Sequence, residues 1–410
     1  MPKTEDYLNN NKVSGYIGFD PTSDSLHIGS LVQIMTLVHF QRHGHKPYVL
    51  LGGATGMVGD PSGKSKERNL LDSKELDKNI SSIKKQLSRF LKFDSSENEA
   101  VIVNNKDWFE NFNFLDFIRD VGKHITVNYM MSKDSVKKRL ETGISFTEFT
   151  YQLVQGYDFY WLYKNHNCLV QLGGSDQWGN IVTGTELIRR MDGGSAYAIT
   201  TPLVQKADGT KFGKTESGNI WLDPVKTSPY KFYQYWINSS DIDAENYIKI
   251  FTLHDKNKIE DLIAQHKENP GLRLLQNELG KYITSMIHGE EQYLMAKEAS
   301  SILFMKGDEA VSALKSLSTD LFLDIFEGVP KTEISKEEIF NGIPIIDALV
   351  EKSGFLKSNG EARRAINENS ISLNKSKVKL DTIINIKDLI DGKYLLLQRG
   401  KKNYFVILVA

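Results

Sequence analysis

Hydroxyl groups, a histidine and a glycine stand together where a strand-like segment gives way to a helix-like one, in DPTSDSLHIGS (20–30). Thr22, Ser25 and Ser30 can donate hydrogen bonds through their hydroxyls, and His27 can donate through a ring nitrogen. The first turn of a helix adds unpaired N–H groups and the positive end of the helix dipole. The segment therefore predicts a site for an anion whose charge grows during a reaction. The alternative is that Asp24 or Ser25 merely caps the helix and that His27 has no role in a site.

A glycine-rich loop, GGATGMVGDPSGKS (52–65), resembles a phosphate-binding loop, although Val58 replaces a glycine that the Walker A pattern requires. The loop carries Asp60, and Lys64 and Arg68 could reach toward a phosphate group. The alternative is a flexible surface loop without a ligand.

A second glycine-punctuated loop, KADGTKFGKTESG (206–218), is rich in lysine. It carries Lys206, Lys211, Lys214 and Thr215. Two lysines that close over a triphosphate could neutralise the charge that develops on departing pyrophosphate. The alternative interpretation of this loop, a hairpin turn through ADGT, is compatible with that role.

A polar stripe runs along a helix that is otherwise rich in aromatic and aliphatic residues, in SFTEFTYQLVQGYDF. Ser145 and Glu148 have the spacing of a capping box at its start. Tyr151, Gln155 and Asp158 follow at positions i, i+4 and i+7, so they share one face. The stripe could hold a small zwitterionic or phenolic ligand, or it could face solvent.

The segment LVQLGGSDQWGN reads as a strand, a glycine turn and the start of a helix. Asp176, with Gln177 beside it, could accept hydrogen bonds from ribose hydroxyls. The nine histidines show no metal-ligand spacing, and a single cysteine rules out a thiolate cluster. We therefore expect no protein-bound metal.

The elements that must position these groups alternate between strands and helices in the front half of the chain. We predict strands at 15–19, 47–53, 100–105 and 167–174, and helices at 31–44 and 74–93. This alternation predicts an α/β fold, a Rossmann-like doubly wound parallel sheet with crossover helices. Ligands of such sheets bind outside the carboxyl ends of the strands.

The rest of the chain changes character. We predict a catalytic domain over 1–225, a helical domain over 226–328, a linker over 329–342 and a small α+β domain over 343–410. Residues 341–410 hold 12 Lys and Arg against 7 Asp and Glu, whereas the preceding residues hold 39 against 45. A basic tail on an acidic body suggests a polyanionic partner, although a lysine-rich solvated surface is equally compatible.

Five basic residues of this tail could form a face that reads the phosphates of structured RNA. They are Arg363, Arg364, Arg399, Lys401 and Lys402. The lone Cys168 excludes an internal disulfide and favours a reducing compartment. Neither a signal peptide nor an apolar run of about 20 residues is apparent, so we expect a cytoplasmic protein without a membrane segment.

Together these motifs resemble a known family. HIGS at 27–30 is similar to the HIGH signature of class I aminoacyl-tRNA synthetases, and KFGKT at 211–215 is similar to their KMSKS loop. GFDPTSDSLHIG, GDPSGK, YQLVQGYD, GGSDQWGN and KADGTKFGKTESG resemble segments of bacterial tyrosyl-tRNA synthetases. The resemblance covers nearly the whole chain, and it implies a C-terminal RNA-binding domain of the ribosomal small-subunit protein four type.

The resemblance also implies residue roles. Tyr16 and Asp158 would bind the substrate phenol. The substrate ammonium group would lie on Asp60, Tyr151 and Gln155, with support from Asn105 and Gln171. ATP or the adenylate would contact Asp20, Gly29, Ser30, Gly174, Asp176, Gln177 and Lys214. The transition state would be stabilised by Thr22, His27, Lys211, Lys214 and Thr215.

The implied activity is activation of L-tyrosine with ATP, accompanied by Mg²⁺, followed by transfer of the tyrosyl group to tRNA(Tyr) by a homodimer. Three alternatives stay open: another nucleotidyl transferase with a HIGH signature, a tryptophan-specific synthetase, and a non-catalytic RNA-binding protein with a synthetase fold. Ser30 departs from the HIGH signature, and we expect it to change affinity without abolishing activity. The helix before the first strand is expected to be shorter than usual in the family.

Overall fold

The structure, a computed structural model, describes residues 4–62, 72–94, 97–141, 143–215, 218–302, 305, 307–400 and 403–410. The chain divides into two compact units. The first unit comprises residues 1–226 and 245–260, and the second comprises 227–244 and 261–410. None of the helices in the described ranges is long and apolar enough to cross a membrane.

The first unit contains a parallel five-stranded sheet with the order β3-β2-β1-β4-β5. Its strands are β1 (Ser14–Phe19), β2 (Lys46–Leu51), β3 (Val101–Asn104), β4 (Cys168–Gly174) and β5 (Tyr197–Thr201). The predicted α/β fold with a doubly wound parallel sheet is confirmed. The strand order reverses between β1 and β4, and the carboxyl ends of these two strands therefore border the crevice where such sheets bind ligands.

Helices connect the strands of this sheet. They are α1 (Thr4–Asn10), α2 (Ile28–Arg42), α3 (Thr55–Val58), α4 (Ser73–Leu87), α5 (Lys106–Phe109), α6 (Phe114–Asp120), α7 (Val127–Met131), α8 (Asp134–Leu140), α9 (Phe146–His166) and α10 (Trp178–Asp192). Helix α2 begins at Ile28, three residues before the first residue of its predicted apolar stripe. Leu31, Ile34 and Met35 of that stripe are buried, as their helical spacing predicts.

Two very short strands, β6 (Lys214–Thr215) and β7 (Gly218–Asn219), pair in the lysine-rich loop. A turn over residues 206–210 precedes them, where the Lys206 N–H donates to the Thr210 carbonyl at 3.1 Å. The hairpin turn expected through ADGT is therefore present.

The second unit begins with helices and ends with a mixed sheet. Its helices are α11 (Pro229–Ile237), α12 (Asp241–Phe251), α13 (Lys256–Glu268), α14 (Leu274–His288), α15 (Glu290–Ile302), α16 (Gly307–Lys315), α17 (Thr319–Ile325), α18 (Lys336–Phe340), α19 (Ile345–Asp347) and α20 (Asn359–Asn367), of which α12 and α13 also contribute residues 245–260 to the first unit. Its strands are β8 (Lys331–Ile334), β9 (Ile343–Pro344), β10 (Ile371–Leu373), β11 (Ser376–Lys377), β12 (Ile383–Ile384), β13 (Tyr394–Arg399) and β14 (Asn403–Val409).

The C-terminal sheet has the order β11-β10-β13-β14-β8 and shares a core with the helices before it. Phe322 stacks on Tyr394 with ring centroids 4.8 Å apart, and both belong to a cluster that includes Tyr230 and Val406. Strand β8, within the segment 329–342 that we expected to be a linker, pairs in parallel with β14. The expected domain boundaries remain a prediction.

Candidate active site

A cavity of about 340 Å³ opens at the carboxyl ends of β1 and β4, within the first unit. Its walls come from these strands, from α9 and from the starts of α2 and α10. Fourteen of the predicted site residues line it: Tyr16, Asp20, Thr22, His27, Gly29, Ser30, Asp60, Tyr151, Gln155, Asp158, Gln171, Gly174, Asp176 and Gln177. Motifs that are far apart in the sequence therefore meet in one cleft.

One end of the cavity is built around a buried carboxyl group, Asp158, which is 1% exposed. Asn105 Nδ2 donates to its Oδ2 at 3.1 Å, and the Trp108 indole N–H donates to its Oδ1 at 2.9 Å. Asn105 is fully buried and does not line the cavity, so it supports the site from behind. Burial raises the pKa of Asp158 well above its usual range, against the lowering effect of these two hydrogen bonds.

Four polar side chains of the cavity have oxygen atoms that are buried without a hydrogen-bond partner among the described residues. They are the Tyr16 hydroxyl and the amide oxygens of Gln33, Gln155 and Gln171. Burial also raises the pKa of Tyr16, so its hydroxyl stays protonated at neutral pH. A buried polar atom without a partner costs about 1–3 kcal/mol, and a polar ligand would remove that cost.

Two more carboxylates lie in hydrogen-bond networks on the cavity wall. The Tyr151 hydroxyl donates to Asp20 at 2.8 Å, and the Thr55 hydroxyl donates to the other oxygen of Asp20 at 2.7 Å. Gln177 Nε2 donates to Asp60 at 2.7 Å. These bonds fix both carboxylates in place, so the charges face the cavity in a defined geometry.

The carboxylates give this part of the cavity a negative field. Burial, together with the nearby charge of Asp60, raises the pKa of Asp176. Asp20 and Asp60 also line the cavity. Such a field favours a cationic group, for example an ammonium, over an anion at the same place.

The opposite character prevails at the start of α2. His27 precedes the helix, and its side chain makes no cap hydrogen bond to the first turn. The Ser25 hydroxyl donates instead to the Leu26 carbonyl at 2.8 Å, and Asp24 pairs with Lys226. Neither Asp24 nor Ser25 caps α2, so the capping expected in the alternative interpretation is wrong.

The His27 ring folds back over the backbone of Gly29. A Cβ atom at Gly29 would lie 2.7 Å from Cε1 of the ring, so a larger residue could not occupy this position unless the ring moved. Ser30 and Thr22 line the same part of the cavity. The positive end of the α2 dipole and these donors together suit an anion such as phosphate.

The lysine-rich loop lies beside this helix start. The Ile28 N–H donates to the Ile220 carbonyl at 2.9 Å, and the Ile220 N–H donates to the Gly213 carbonyl at 3.1 Å. Lys211 and Lys214 flank this contact and are exposed. The loop does not line the cavity itself, but it holds its two lysines next to the segment that contains His27.

The predicted RNA-reading residues lie in the second unit, where Arg363 and Arg364 are exposed on α20. Arg399 is ion-paired with Glu361, with its Nη1 atom 2.7 Å from Oε1. Outside the described residues are Lys64, Arg68, Lys401, Lys402 and the side chain of Thr215. In the described part of the chain, His, Cys, Asp and Glu form no group of three that could hold a metal.

Sequence reasoning missed Trp108 and Thr55. Trp108 donates to Asp158 and stacks on Trp161 with centroids 4.2 Å apart. It follows the carboxyl end of β3, and this position was the signal that could have identified it. Thr55, which shares the Asp20 carboxylate with Tyr151, lies in the glycine-rich loop after β2 and carries no signal of its own.

Comparison with known proteins agrees with this geometry. A family model described as tRNA synthetases class I (W and Y) matches residues 8–305. A second model, described as Tyrosine--tRNA ligase SYY-like C-terminal domain, matches residues 322–407. Together the two models account for most of the chain.

Relatives match the chain over its length. The tyrosine–tRNA ligase of Flavobacterium psychrophilum is 61% identical over 413 residues, which cover 99% of this chain and 95% of the relative. That of Bacteroides fragilis is 59% identical over 414 residues, which cover 100% of this chain and 96% of the relative.

Solved structures extend the comparison. A C-terminally truncated mitochondrial tyrosyl-tRNA synthetase from Aspergillus nidulans matches with a TM-score of 0.64 and 31% identity, over 72% of this chain and 86% of that one. A tyrosyl-tRNA synthetase from Archaeoglobus fulgidus, at 18% identity and a TM-score of 0.53 over 71% of this chain and 93% of that one, supports the fold alone. By these matches, the chain belongs to the tyrosine–tRNA ligases of the class I tRNA synthetase family.

Proposed function

We propose that the cavity at the carboxyl ends of β1 and β4 binds L-tyrosine at its buried end and the phosphates of ATP at the start of α2. The observation that carries this proposal is the set of buried oxygens without partners, on Tyr16, Gln155 and Gln171, beside the carboxyl group of Asp158. A phenol and an ammonium group are the ligand groups that such acceptors and donors can satisfy. The helix start with His27 then lies where an anion is favoured.

In the first step, an oxygen of the tyrosine carboxylate attacks the α-phosphorus of ATP, and the bond to the bridging oxygen of pyrophosphate breaks. The carboxylate is already ionised at neutral pH, so the reaction requires no general base. Catalysis then consists of positioning the two substrates and stabilising the charge on the phosphates. This explains why the site offers hydrogen-bond donors and lysines, with no activated nucleophile.

Each predicted group receives a role in this reaction. Tyr16 and Asp158 bind the phenol, with Asn105 and Trp108 holding Asp158. The ammonium group lies among Asp60, Tyr151, Gln155 and Gln171. The adenylate is bound by Asp20, Gly29, Ser30, Gly174, Asp176, Gln177 and Lys214. Charge on the α-phosphate and pyrophosphate is stabilised by Thr22, His27, Lys211, Lys214 and Thr215.

In the second step, a hydroxyl of the terminal ribose of tRNA(Tyr) attacks the tyrosyl carbonyl carbon and AMP leaves. Arg363, Arg364, Arg399, Lys401 and Lys402 are proposed to contact the RNA. Mg²⁺ is proposed to enter with ATP and to offset phosphate charge, without a resident metal site. We also propose that the protein acts as a homodimer in the cytoplasm.

The same geometry favours tyrosine over phenylalanine. Phenylalanine would leave the Tyr16 hydroxyl and the Asp158 carboxyl buried without the partner that the substrate hydroxyl supplies. A substrate hydrogen bond that is missing at a buried polar group costs about 1–3 kcal/mol, so the two missing bonds together disfavour phenylalanine strongly. A tryptophan-specific site would not need two groups placed to meet a phenolic hydroxyl.

Amino-acid-dependent exchange of pyrophosphate into ATP tests this proposal. We expect exchange with tyrosine and far less with phenylalanine or tryptophan. Lys214→Ala should slow exchange by about 10²–10³-fold, the usual effect of removing a transition-state donor, with tyrosine binding little changed. Lys84→Ala, which removes an exposed lysine of α4, is the matched control. Absence of exchange with every amino acid would instead support a non-catalytic RNA-binding protein.

A further inference from the structure

Two residues separate the proposed catalytic lysines of the loop, and the first of them is aromatic, Phe212. Its ring lies edge-on to Tyr247, with centroids 5.1 Å apart, and stacks on Phe251, with centroids 5.2 Å apart and planes 13° from parallel. Tyr247 is 2% exposed and Phe251 is fully buried. The loop is therefore fixed on one side by a pair of rigid aromatic rings.

These rings come from an insertion in the sequence of the second unit. Residues 245–260 group with the first unit, although the chain on both sides of them belongs to the second. Phe212 and its two aromatic neighbours are thus part of one compact body. We call Tyr247 and Phe251 the aromatic seat of the loop.

The next residue fixes the loop on its other side. Gly213 has φ of +80°, and a Cβ atom there would lie 3.0 Å from Cγ1 of Ile28 and 3.4 Å from the Gly29 nitrogen. Only glycine combines this backbone conformation with such a close approach at no cost. Adjacent residues of the loop therefore contact the aromatic seat and the start of α2.

The contacts of Phe212 and Gly213 fix the backbone from which the two neighbouring lysine side chains extend. Lys211 and Lys214 are exposed and flank the fixed pair, so their reach toward a phosphate is set by the position of Phe212 and Gly213. Without the packing of Phe212 on the aromatic seat, the loop would lose conformational entropy each time the lysines bound the nucleotide.

We infer that Phe212 is a positioning residue for adenylate formation, because its ring on the aromatic seat sets where Lys211 and Lys214 stand beside the His27 helix start. The inference rests on the proposed function of those lysines. Phe212 itself touches neither substrate, and its effect passes through the loop backbone. Tyr247 and Phe251 acquire the same role as its partners.

The test measures single-turnover formation of tyrosyl-adenylate by the full chain. Phe212→Ala should lower the rate constant by about 10- to 100-fold, as expected for misplaced catalytic groups, with tyrosine affinity within about twofold of the parent. Phe212→Leu, which keeps an apolar contact, should recover part of the rate. Phe93→Ala, at a partly exposed phenylalanine of the same unit, is the control and should have no effect.

Trypsin cleavage supplies a readout that a general loss of stability would not reproduce. Cleavage after Lys211 or Lys214 should accelerate in Phe212→Ala, while the melting temperature stays close to that of the parent. In a double-mutant cycle, Tyr247→Leu should slow the reaction alone and add little to Phe212→Ala, because both remove the same aromatic packing.

Three results would overturn the inference. They are an unchanged rate in Phe212→Ala, a slower rate matched by an equal decrease in tyrosine affinity and melting temperature, and full additivity with Tyr247→Leu. Failure of the proposed function is distinguishable, because then the parent protein would form no adenylate and Lys214→Ala would change nothing.

Discussion

Replacing Tyr16 by phenylalanine should make the free protein more stable and its complex with tyrosine weaker. The Tyr16 hydroxyl is buried on β1 without a partner among the described residues, and the side chain is 1% exposed. Phenylalanine keeps the ring, including its edge contact with Phe159 at 5.5 Å, and removes only the oxygen. The two effects have opposite signs, so a general packing defect cannot imitate them.

The magnitudes follow from the cost of an unpaired buried hydroxyl. Removing it should raise the free energy of unfolding by about 1–3 kcal/mol in the absence of ligand. Without its hydrogen bond to the substrate phenol, tyrosine binding should weaken by about 0.5–1.5 kcal/mol, or about two- to twelvefold in the dissociation constant. Burial also raises the pKa of this hydroxyl, so the comparison is unaffected by ionisation near neutral pH.

Urea titration without tyrosine and equilibrium binding of tyrosine measure the two effects. Tyr48→Phe is the matched control, because Tyr48 lies opposite Tyr16 in the register of β1 and β2. Its hydroxyl lies 3.5 Å from Nδ1 of His166, so its removal should not stabilise the protein. If Tyr16→Phe destabilises the free protein, or binds tyrosine as well as the parent, the unpaired hydroxyl is not the contact for the substrate.

Three further predictions concern other parts of the chain. Burial raises the pKa of Asp158, so the contribution of this carboxyl group to folding stability is complete below its unfolded pKa and is lost as the pH rises through its folded pKa. The free energy of unfolding should therefore fall above about pH 4, and Asp158→Asn should reduce that fall. An unchanged pH profile of the unfolding free energy, measured by urea titration, would contradict this prediction. Arg139 and Glu148 form a buried ion pair at 2.7 Å, so Arg139→Met should cost about 3–5 kcal/mol in a urea titration. Adding Glu148→Leu should recover most of that cost, because it removes the carboxylate that Arg139→Met leaves buried without a partner. If the double variant is as unstable as the single one, the unpaired Glu148 charge is not the cause of the instability. Arg363→Ala with Arg364→Ala should lower the salt dependence of tRNA binding by roughly one unit of slope for each phosphate group that the variant no longer binds, with pyrophosphate exchange intact; an unchanged slope would place the RNA-binding surface elsewhere.

The strands of the first unit were predictable where burial dominates their composition. Central parallel strands are covered on both faces, so β2 and β4 read as apolar runs, and their bounds agree with the predicted ones to within two residues. Strand β5 was missed because Ala198 and Ile199 are its only aliphatic residues, whereas β3, the opposite edge strand, was predicted because Val101, Ile102 and Val103 form an apolar run. Its pattern carries too little apolar signal to separate it from a loop.

The polar stripe on α9 was equally accessible from sequence. Tyr151, Gln155 and Asp158 all line the cavity, as their helical spacing requires. The partners of that stripe were not predictable, since the indole of Trp108 reaches Asp158 only after β3 has been placed in the sheet. Spacing fixes which side chains share a face, but tertiary packing decides what meets them.

The predicted capping box at the start of α9 is half correct. The Ser145 hydroxyl accepts from the Glu148 N–H at 3.1 Å, as a cap should. The carboxylate of Glu148, however, is bound by Arg139 of α8. A charged partner from another helix therefore competes for the group that local sequence rules assign to the cap.

The interleaving of the two units along the chain affects how the protein is made. Residues 227–244 belong to the second unit and leave the ribosome before residues 245–260, which belong to the first. At a synthesis rate of about 5–20 residues per second, the nascent first unit spends seconds without its last segment. The first unit therefore cannot finish folding before the second unit has begun to emerge. For the same reason, exchanging either half with a relative requires several chain junctions.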